Sequence, residues 1–338
     1  MSLYSIKFLF GIILITFTFQ ARSSNIILDP SIVKAPSIEN LPVGKEGEEI
    51  RYGFELLSNT AKYLGPKGSV SSNTKTRMSC SNCHMDVGRK DFGNSWLDSH
   101  GSYPQYRSRE GFVITLAERA NLCFTHPMNG KPLPLDSREM RAILLYYKWL
   151  GVNRPILSKD KDNRLVKLPF LDRAADPKKG ALLFKTHCLV CHGENGQGTL
   201  LTDKKSYSIP PLWGKESYQM GSSFSRVSVL ARFIKANMPY GATAVSPILV
   251  DEEAWDVAAF INSKSRPMWS GKLPYPRLYE KTYDFPIGPY ADPFTPTQHK
   301  YGPYKPIINY WDADLDVGDI TNIFSQEHII LSAQFPKK

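Results

Sequence analysis

The sequence predicts a mainly α-helical chain with two domains of related plan, followed by an extended, irregular C-terminal segment. Three observations support this prediction. A Cys-x-x-Cys-His motif occurs twice, at residues 80–84 and 188–192. Apolar residues recur at helical spacing before each motif. After Pro267 that spacing is lost, and the chain becomes rich in proline, tyrosine and glycine.

The first residues carry a targeting signal rather than part of the fold. Lys7 is followed by an apolar run from Phe8 to Phe19 and then by Ala21-Arg22-Ser23. This order is typical of a cleaved secretory signal peptide, here residues 1–23. The run is shorter than the ~20 residues that cross a bilayer, so we expect a periplasmic protein with no stable membrane insertion.

Length, net charge and predicted export limit the classes of partner that this protein is expected to bind. The 338 residues suffice for two separate cores. The formal charge of +10 is compatible with anionic substrates or surfaces. Export argues against nucleic acid as a partner. Net charge alone therefore leaves an anionic small molecule as one compatible substrate class.

The repeated motif predicts two covalently bound haem c groups. Cys80 and Cys83 are spaced by about one helical turn, which lets both thiols form thioethers with one porphyrin. His84 then lies where its imidazole can bind the iron. Cys188, Cys191 and His192 repeat this arrangement. A redox dithiol does not explain a histidine at the same place twice, and a zinc site would need the two distant cysteine pairs to converge.

Helix signals surround both motifs. Asp136-Ser137-Arg138-Glu139 resembles a capping box for a helix that ends at Gly151, and Ile143, Leu144 and Tyr147 are expected to pack on the first haem. Asp176-Pro177 predicts an N-cap and a first-turn proline, and Asp251 predicts a later helix start. A further helix is predicted before the first motif, and it should end at Gly65-Pro66. Its apolar positions, which recur at helical spacing, are Ile50, Phe54, Leu57, Ala61 and Leu64.

The second haem has a candidate sixth ligand in Met238. The helical pattern of residues 229–237 ends at Met238-Pro239, because a residue before proline is disfavoured in helical geometry. A thioether at such a break is suited to a His192/Met238 pair, which leaves no open iron site. Met220 is the rival, and a core position is the alternative role for Met238.

The first haem has several sulfur candidates: Met85, Met128, Met140 and the odd cysteine, Cys123. A lone cysteine is often a buried inert thiol. Alternatively, its thiolate binds iron and lowers the haem potential. Arg107, Arg109 and Arg119 precede Cys123, and positive charge favours a thiolate. These arginines also match anionic oxygens, either of a substrate or of the haem propionates.

Five stretches carry a family resemblance: residues 103–111, 121–123, 128–134, 233–239 and 298–304. In these stretches the sequence resembles the thiosulfate dehydrogenases, dihaem cytochromes that couple two thiosulfates into tetrathionate and can run in reverse. The resemblance spans roughly residues 45 to 306. It implies His84/Cys123 and His192/Met238 ligation, with the active site at haem 1.

The resemblance further implies that Arg109 and Arg119 lie near the substrate. From sulfur chemistry we expect Cys123 to leave the iron and form a covalent adduct with one thiosulfate, because this exchange needs a good nucleophile that is also a good leaving group. Electrons would leave through haem 2 to an external acceptor such as a small cytochrome c. The sequence departs from the family at two places. Asn237 replaces a lysine found in some members, and His126-Pro127 replaces an Arg-Ser pair.

Other functions remain open on the sequence. A dihaem electron carrier without its own substrate would have an inert Cys123 thiol. A haem subunit of a thiosulfate-conjugating complex would need a partner chain. A dihaem peroxidase would need an open iron, which a thiolate ligand argues against.

The predicted domain boundaries follow from the motifs and helices. Residues 24–152 form a cytochrome c-like domain with haem 1, and residues 176–266 form a second with haem 2. Residues 153–175 are interpreted as a linker. Residues 267–338 form the irregular extension, expected to cross both domains as a strap.

Overall fold

The computed structural model describes residues 34–152, 164–268 and 274–312. The predicted signal peptide, the first part of the predicted linker and the end of the C-terminal extension lie outside these residues. Within the described ranges, no helix is long and apolar enough to cross a membrane. The prediction of a mainly α-helical chain with two cytochrome c-like domains in tandem is confirmed.

The first domain packs helices around the first motif. Its elements are α1 (Lys45–Ser58), α2 (Thr60–Leu64), strands β1 (Gln105–Arg107) and β2 (Phe112–Ile114), α3 (Leu116–Thr125) and α4 (Arg138–Leu150). The helix expected to reach Leu64 is divided at Asn59. Helix α4 packs along α1, and Ser137 caps it by accepting a hydrogen bond from the Met140 N–H. The strands form an antiparallel hairpin.

The second domain repeats this plan. Its elements are α5 (Pro177–His187), α6 (Leu189–His192), β3 (Thr199–Leu200), β4 (Tyr207–Ile209), α7 (Val227–Asn237) and α8 (Asp251–Ser263). Asp176 caps α5 as predicted, accepting from the Lys178 N–H at 2.7 Å. Helix α8 packs on both α5 and α7. Trp255 is its largest buried side chain, 1% exposed.

The end of the predicted linker belongs to the second domain. Leu165, Val166 and Leu168 are buried in that domain's core. Arg232 donates to the Val166 carbonyl at 2.6 Å, and the Trp255 indole N–H donates to the Pro169 carbonyl at 3.1 Å. Residues 164–175 are therefore an ordered, packed segment.

The C-terminal extension crosses both domains. Residues 274–295, here called the strap, have little regular structure, whereas α9 (Pro296–Tyr301) and α10 (Lys305–Trp311) follow as short helices that the sequence did not predict. The Tyr275 N–H donates to the Arg109 carbonyl at 2.8 Å. Asp284, a buried residue of the strap, forms a salt bridge of 2.7 Å with Arg226, the residue before α7. The strap thus touches the β1–β2 hairpin and the start of α7.

Direct contacts also join the two domains. Thr76 donates to the Glu216 carbonyl at 2.8 Å, and the Arg77 guanidinium lies 3.3 Å from the Glu216 carboxylate. Gln219 donates to the Thr125 carbonyl at 2.5 Å. These bonds place a second-domain segment against the end of α3, which carries Cys123.

Candidate haem sites and active site

The first motif is held by hydrogen bonds from α2. The Cys80 N–H donates to the Thr60 hydroxyl at 3.1 Å, and that hydroxyl lies 3.2 Å from the Cys80 sulfur. Thr60 is fully buried. The His84 N–H donates to the Cys80 carbonyl at 3.0 Å, which closes one turn. This turn brings both cysteines and the histidine to one cavity, as their spacing predicts.

That cavity has a mostly apolar lining. Cys80, Cys83 and His84 line it from one side, and Cys123 and Met128 also border it. The other lining residues include Leu57, Trp96, Phe124, Ile143 and Tyr147. Two of the three residues expected to pack on haem 1, Ile143 and Tyr147, therefore do border the cavity, whereas Leu144 packs in the neighbouring core.

The orientation of His84 suits an iron ligand. Its Nδ1 lies 2.5 Å from the Asn94 carbonyl, and the ring packs on Trp96 with centroids 4.3 Å apart. Because a carbonyl only accepts, Nδ1 carries the proton and Nε2 keeps its lone pair for metal. Burial lowers the pKa of His84 to about 3, so the imidazole is neutral. The thiols of Cys80 and Cys83 and the neutral imidazole of His84 are together the groups that can hold a haem c.

The second motif shows the same arrangement. His192 is buried and its Nδ1 donates to the Pro210 carbonyl at 3.1 Å. Met238 ends α7 in extended geometry, as predicted, and packs in the same cluster as Cys188. Asn237, at the departing position, donates to the Phe92 and Phe233 carbonyls, both at 2.9 Å. Its amide therefore has a structural role, and Met238 stays the predicted sixth ligand.

Cys123 and Arg119 face each other on α3. Thr115 and Glu118 form a capping box that starts this helix. Residues four apart share a helix face, and the Arg119 guanidinium lies 3.1 Å from the Cys123 sulfur. The negative charge of a Cys123 thiolate raises the pKa of Arg119 despite its burial. The pair therefore places a positive charge beside the Cys123 sulfur at the edge of the haem 1 cavity.

A second, more polar cavity adjoins the first and shares Cys83, His84 and Cys123 with it. Arg107, Arg109 and Arg119 all line it, as does His126. The structure thus brings together all the arginines that the sequence singled out. Anionic oxygens of a substrate or of haem propionates are the groups that such a cavity suits.

Arg109 is fixed by both domains and the strap. Its guanidinium donates to the Gly221 carbonyl at 2.5 Å and lies over the Phe285 ring at 5.6 Å. Glu110 lies 4.0 Å from Arg109 and 3.5 Å from Arg107. The Glu110 carboxylate offsets part of the positive charge of the three arginines. The remaining positive charge of the cavity can still attract an anion.

Sequence reasoning missed two contributors to the polar cavity. Residues 221–224 of the second domain line it, and Glu110 faces the arginines. Met128, one of the sulfur candidates for the first haem, borders the haem 1 cavity together with Cys123. Glu110 sits between the arginines in sequence and could have been found there. Residues 221–224 carry no local signal, because their role depends on the docking of the two domains.

The cavities, the paired thioether cysteines and the oriented histidines define a c-type cytochrome with two haem c groups. The family described as "Cytochrome c" matches residues 177–265, and the family described as "SoxA/TsdA, cytochrome c domain" matches residues 70–151. The two motifs therefore lie in two separate cytochrome domains.

Curated relatives identify the family. The chain is 33% identical to the thiosulfate dehydrogenase of Stutzerimonas stutzeri over 70% of this chain and 74% of that protein. It is 35% identical to that of Allochromatium vinosum over 69% of this chain and 84% of that protein. The chain belongs to the thiosulfate dehydrogenase family and is an oxidoreductase.

A solved structure agrees with this assignment. The thiosulfate dehydrogenase TsdBA from Marichromatium purpuratum superposes with a TM-score of 0.65 at 32% identity, over 72% of this chain. The chain spans about half the length of that protein, 51%.

Proposed function

We propose that this protein oxidatively couples two thiosulfates into tetrathionate, in a reaction that can run in reverse. The active site is the polar cavity beside haem 1. The observation that carries the proposal is the 3.1 Å contact between Arg119 and Cys123 at the border of the two cavities. A sulfur nucleophile there lies next to both an anion site and a haem.

The arginines reduce the main electrostatic barrier to the reaction, which is the repulsion between two anionic substrates. Each thiosulfate is a dianion, so bringing two together is opposed by their mutual repulsion. Arg109 and Arg119, with Arg107 nearby, offset this repulsion and orient the outer sulfurs. Burial of Arg109 strengthens its interaction with an anion, because less water screens the charge.

Cys123 supplies covalent chemistry as the catalytic nucleophile, alongside its predicted role as an iron ligand. Its thiolate and the outer sulfur of one thiosulfate form a disulfide bond, and two electrons are released. The outer sulfur of a second thiosulfate then attacks that adduct at the thiosulfate-derived sulfur. Tetrathionate forms and the Cys123 thiolate is regenerated, so atoms and charge balance. Sulfur suits this exchange because it is both a good nucleophile and a good leaving group.

The released electrons need an exit. His84 and Cys123 would hold the first haem iron, and His192 and Met238 the second. When bound, the haems take up electrons one at a time and so relay them to an external acceptor, such as a small cytochrome c. The predicted signal peptide supports a periplasmic location for this reaction.

The test compares wild type with Cys123→Gly. Purified, haem-loaded protein is mixed with thiosulfate and ferricyanide, and tetrathionate is measured by ion chromatography. We expect wild-type turnover and a variant that binds both haems yet is inactive. Ala117→Gly, on the same helix but outside both cavities, controls for the general effect of a new glycine in α3.

Two other results would redirect the assignment. Haem-loaded wild type that turns over in neither direction would favour an electron carrier without its own substrate. Activity that appears only after a carrier protein is added would favour the haem subunit of a thiosulfate-conjugating complex.

A further inference from the structure

A short loop of the first domain orients the proximal histidine of haem 1. Residues 92–94, here called the proximal loop, end at Asn94, whose carbonyl accepts the His84 Nδ1 hydrogen at 2.5 Å. Phe92 and Asn94 adopt left-handed backbone conformations, with φ of 59° and 60°. Such a conformation is strained for a bulky residue such as Phe92, so surrounding contacts must hold it. The position of His84 therefore depends on what fixes this loop.

The second domain holds the proximal loop from two sides. The Asn94 N–H donates to the Arg164 carbonyl, in the packed segment before α5, at 2.9 Å. The Asn237 side-chain amide, at the end of α7, donates to the Phe92 carbonyl at 2.9 Å. The Phe92 ring packs against the second domain's core. The loop that orients a ligand of haem 1 is thus positioned by the domain that carries haem 2.

The nitrogen of the Asn237 amide has an acceptor for each of its two hydrogens. One acceptor is the Phe92 carbonyl, and the other is the Phe233 carbonyl, one turn earlier on α7, also at 2.9 Å. Because a carbonyl only accepts, these two bonds fix which amide atom is the nitrogen. Asn237 is 4% exposed, so little water competes for them. The next residue is Met238, the predicted ligand of the second haem.

These contacts connect a proposed ligand of each iron. From haem 1 to haem 2 they run through His84, Asn94, Phe92, Asn237 and Met238. A hydrogen bond from Nδ1 makes an imidazole a stronger donor to its iron, which lowers the potential of that haem. A bound methionine raises the potential of its haem. One amide is therefore placed to act on the two haems in opposite directions.

We propose that Asn237 is a positioning residue that maintains the difference in reduction potential between the two haems. Its amide steadies the loop whose carbonyl accepts from His84, and it fixes the end of α7 next to Met238. The first haem is thereby kept at a lower potential and the second at a higher one, which favours electron flow toward the second domain. This rests on the proposed function only for the assignment of His84 and Met238 as iron ligands.

The experiment uses the full, haem-loaded chain. Asn237→Leu keeps the approximate side-chain volume and removes both N–H donors. Redox titration followed by visible absorption gives the two midpoint potentials, and electron paramagnetic resonance of the ferric protein reports the ligands of each haem. We expect the first potential to rise and the second to fall, so that the gap between them narrows. Asn237→Ala, which suits a helix end because alanine favours helical geometry, should give the same pair of shifts.

Thr76→Val is the matched control. Thr76 is 2% exposed and also forms a hydrogen bond between the domains, since it donates to the Glu216 carbonyl at 2.8 Å. It belongs to neither the proximal loop nor α7, so this variant should keep the wild-type potentials. If Thr76→Val narrows the gap as Asn237→Leu does, the effect comes from domain docking in general and the proposal is wrong.

The pattern of shifts decides the remaining outcomes. A change in the second potential alone would show that Asn237 acts only on Met238. Unchanged potentials in both Asn237 variants, or shifts in the same direction at both haems, would equally overturn the proposal. These measurements need no thiosulfate, which separates them from the proposed function. A narrowed gap in a protein that does not oxidise thiosulfate would uphold the role of Asn237 and reject the reaction.

Discussion

Tyr106 donates a 2.6 Å hydrogen bond to the carboxylate of Glu280, which joins the β1–β2 hairpin to the strap. Arg277 pairs with the same carboxylate at 2.7 Å. Beside this bond, Gly111 adopts a left-handed conformation (φ 83°) and lies against the Pro276 ring. The hairpin that carries Arg107 and Arg109 is therefore held in place by a segment distant in sequence.

Loosening this bond should weaken substrate binding. Tyr106→Phe removes the donor and leaves Glu280 with Arg277, so we expect a loss of about 1 kcal/mol in the free energy of unfolding. The KM for thiosulfate should rise several-fold while kcat changes little, because Arg109 is less well positioned. Steady-state kinetics with ferricyanide measures both. Tyr279→Phe, at a half-exposed neighbouring tyrosine, should behave as wild type.

Arg119 should contribute more to the rate than to folding. Arg119→Gln removes the positive charge beside Cys123, and we expect kcat to fall about 100-fold, the scale for loss of one electrostatic contact to a reacting group. Arg119→Lys should be intermediate, because it keeps the charge and loses the planar fork. Arg138→Gln, which breaks the Glu49 pair on the surface, is the control. Equal rates in all four proteins would contradict a role for Arg119.

His126 should make the protein sensitive to acid. Burial, reinforced by the positive charge of Arg109, lowers the pKa of His126 to about 3. The unfolded chain therefore binds a proton that the folded chain does not, in the window from about pH 6.5 down to about 3. Stability is unaffected above this window and falls as pH decreases through it.

The loss of stability expected from protonation of His126 has a definite size. Between pH 6.5 and 4.5 the free energy of unfolding should fall by up to about 2.7 kcal/mol, at about 1.36 kcal/mol per pH unit. His126→Gln should remove that part of the decline in denaturant titrations. A variant whose pH profile parallels wild type would show that other groups cause the acid sensitivity.

The buried Asp284–Arg226 pair should be a major determinant of stability. The Asp284 side chain is fully buried and also accepts a hydrogen bond from the Ser228 hydroxyl. Asp284→Asn leaves the Arg226 charge buried without its counterion, which costs about 3 to 5 kcal/mol. The exposed Lys305–Asp172 pair provides the contrast, and Asp172→Asn should cost less than about 1 kcal/mol. Denaturant unfolding of both variants checks this difference.

Local signals predicted much of the fold. Asp176 caps its helix and Met238 ends another, because capping and proline geometry depend on neighbouring residues. The four-residue spacing of Arg119 and Cys123 likewise anticipates their contact on α3.

Long-range pairing explains what the sequence did not reveal. The contact between Arg109 and Gly221 requires the two domains to dock, and periodicity reports only which face of an element is buried. The packed end of the predicted linker is a similar case. The sequence alone predicts Leu165 and Val166 to be linker residues. Their burial depends on contacts with Arg232 and the second domain's core, which are distant in sequence.

The attachment of the strap to the hairpin also bears on the order in which the proposed active site forms. The Tyr275 N–H and the Arg109 carbonyl that accepts its hydrogen bond are far apart in sequence. Contacts of such long sequence separation form late, because a large loop must close first. The first domain can collapse around its motif earlier, but its arginine hairpin reaches its final position last. Assembly of the proposed active site therefore depends on the strap being in place as well as on the folding of the first domain.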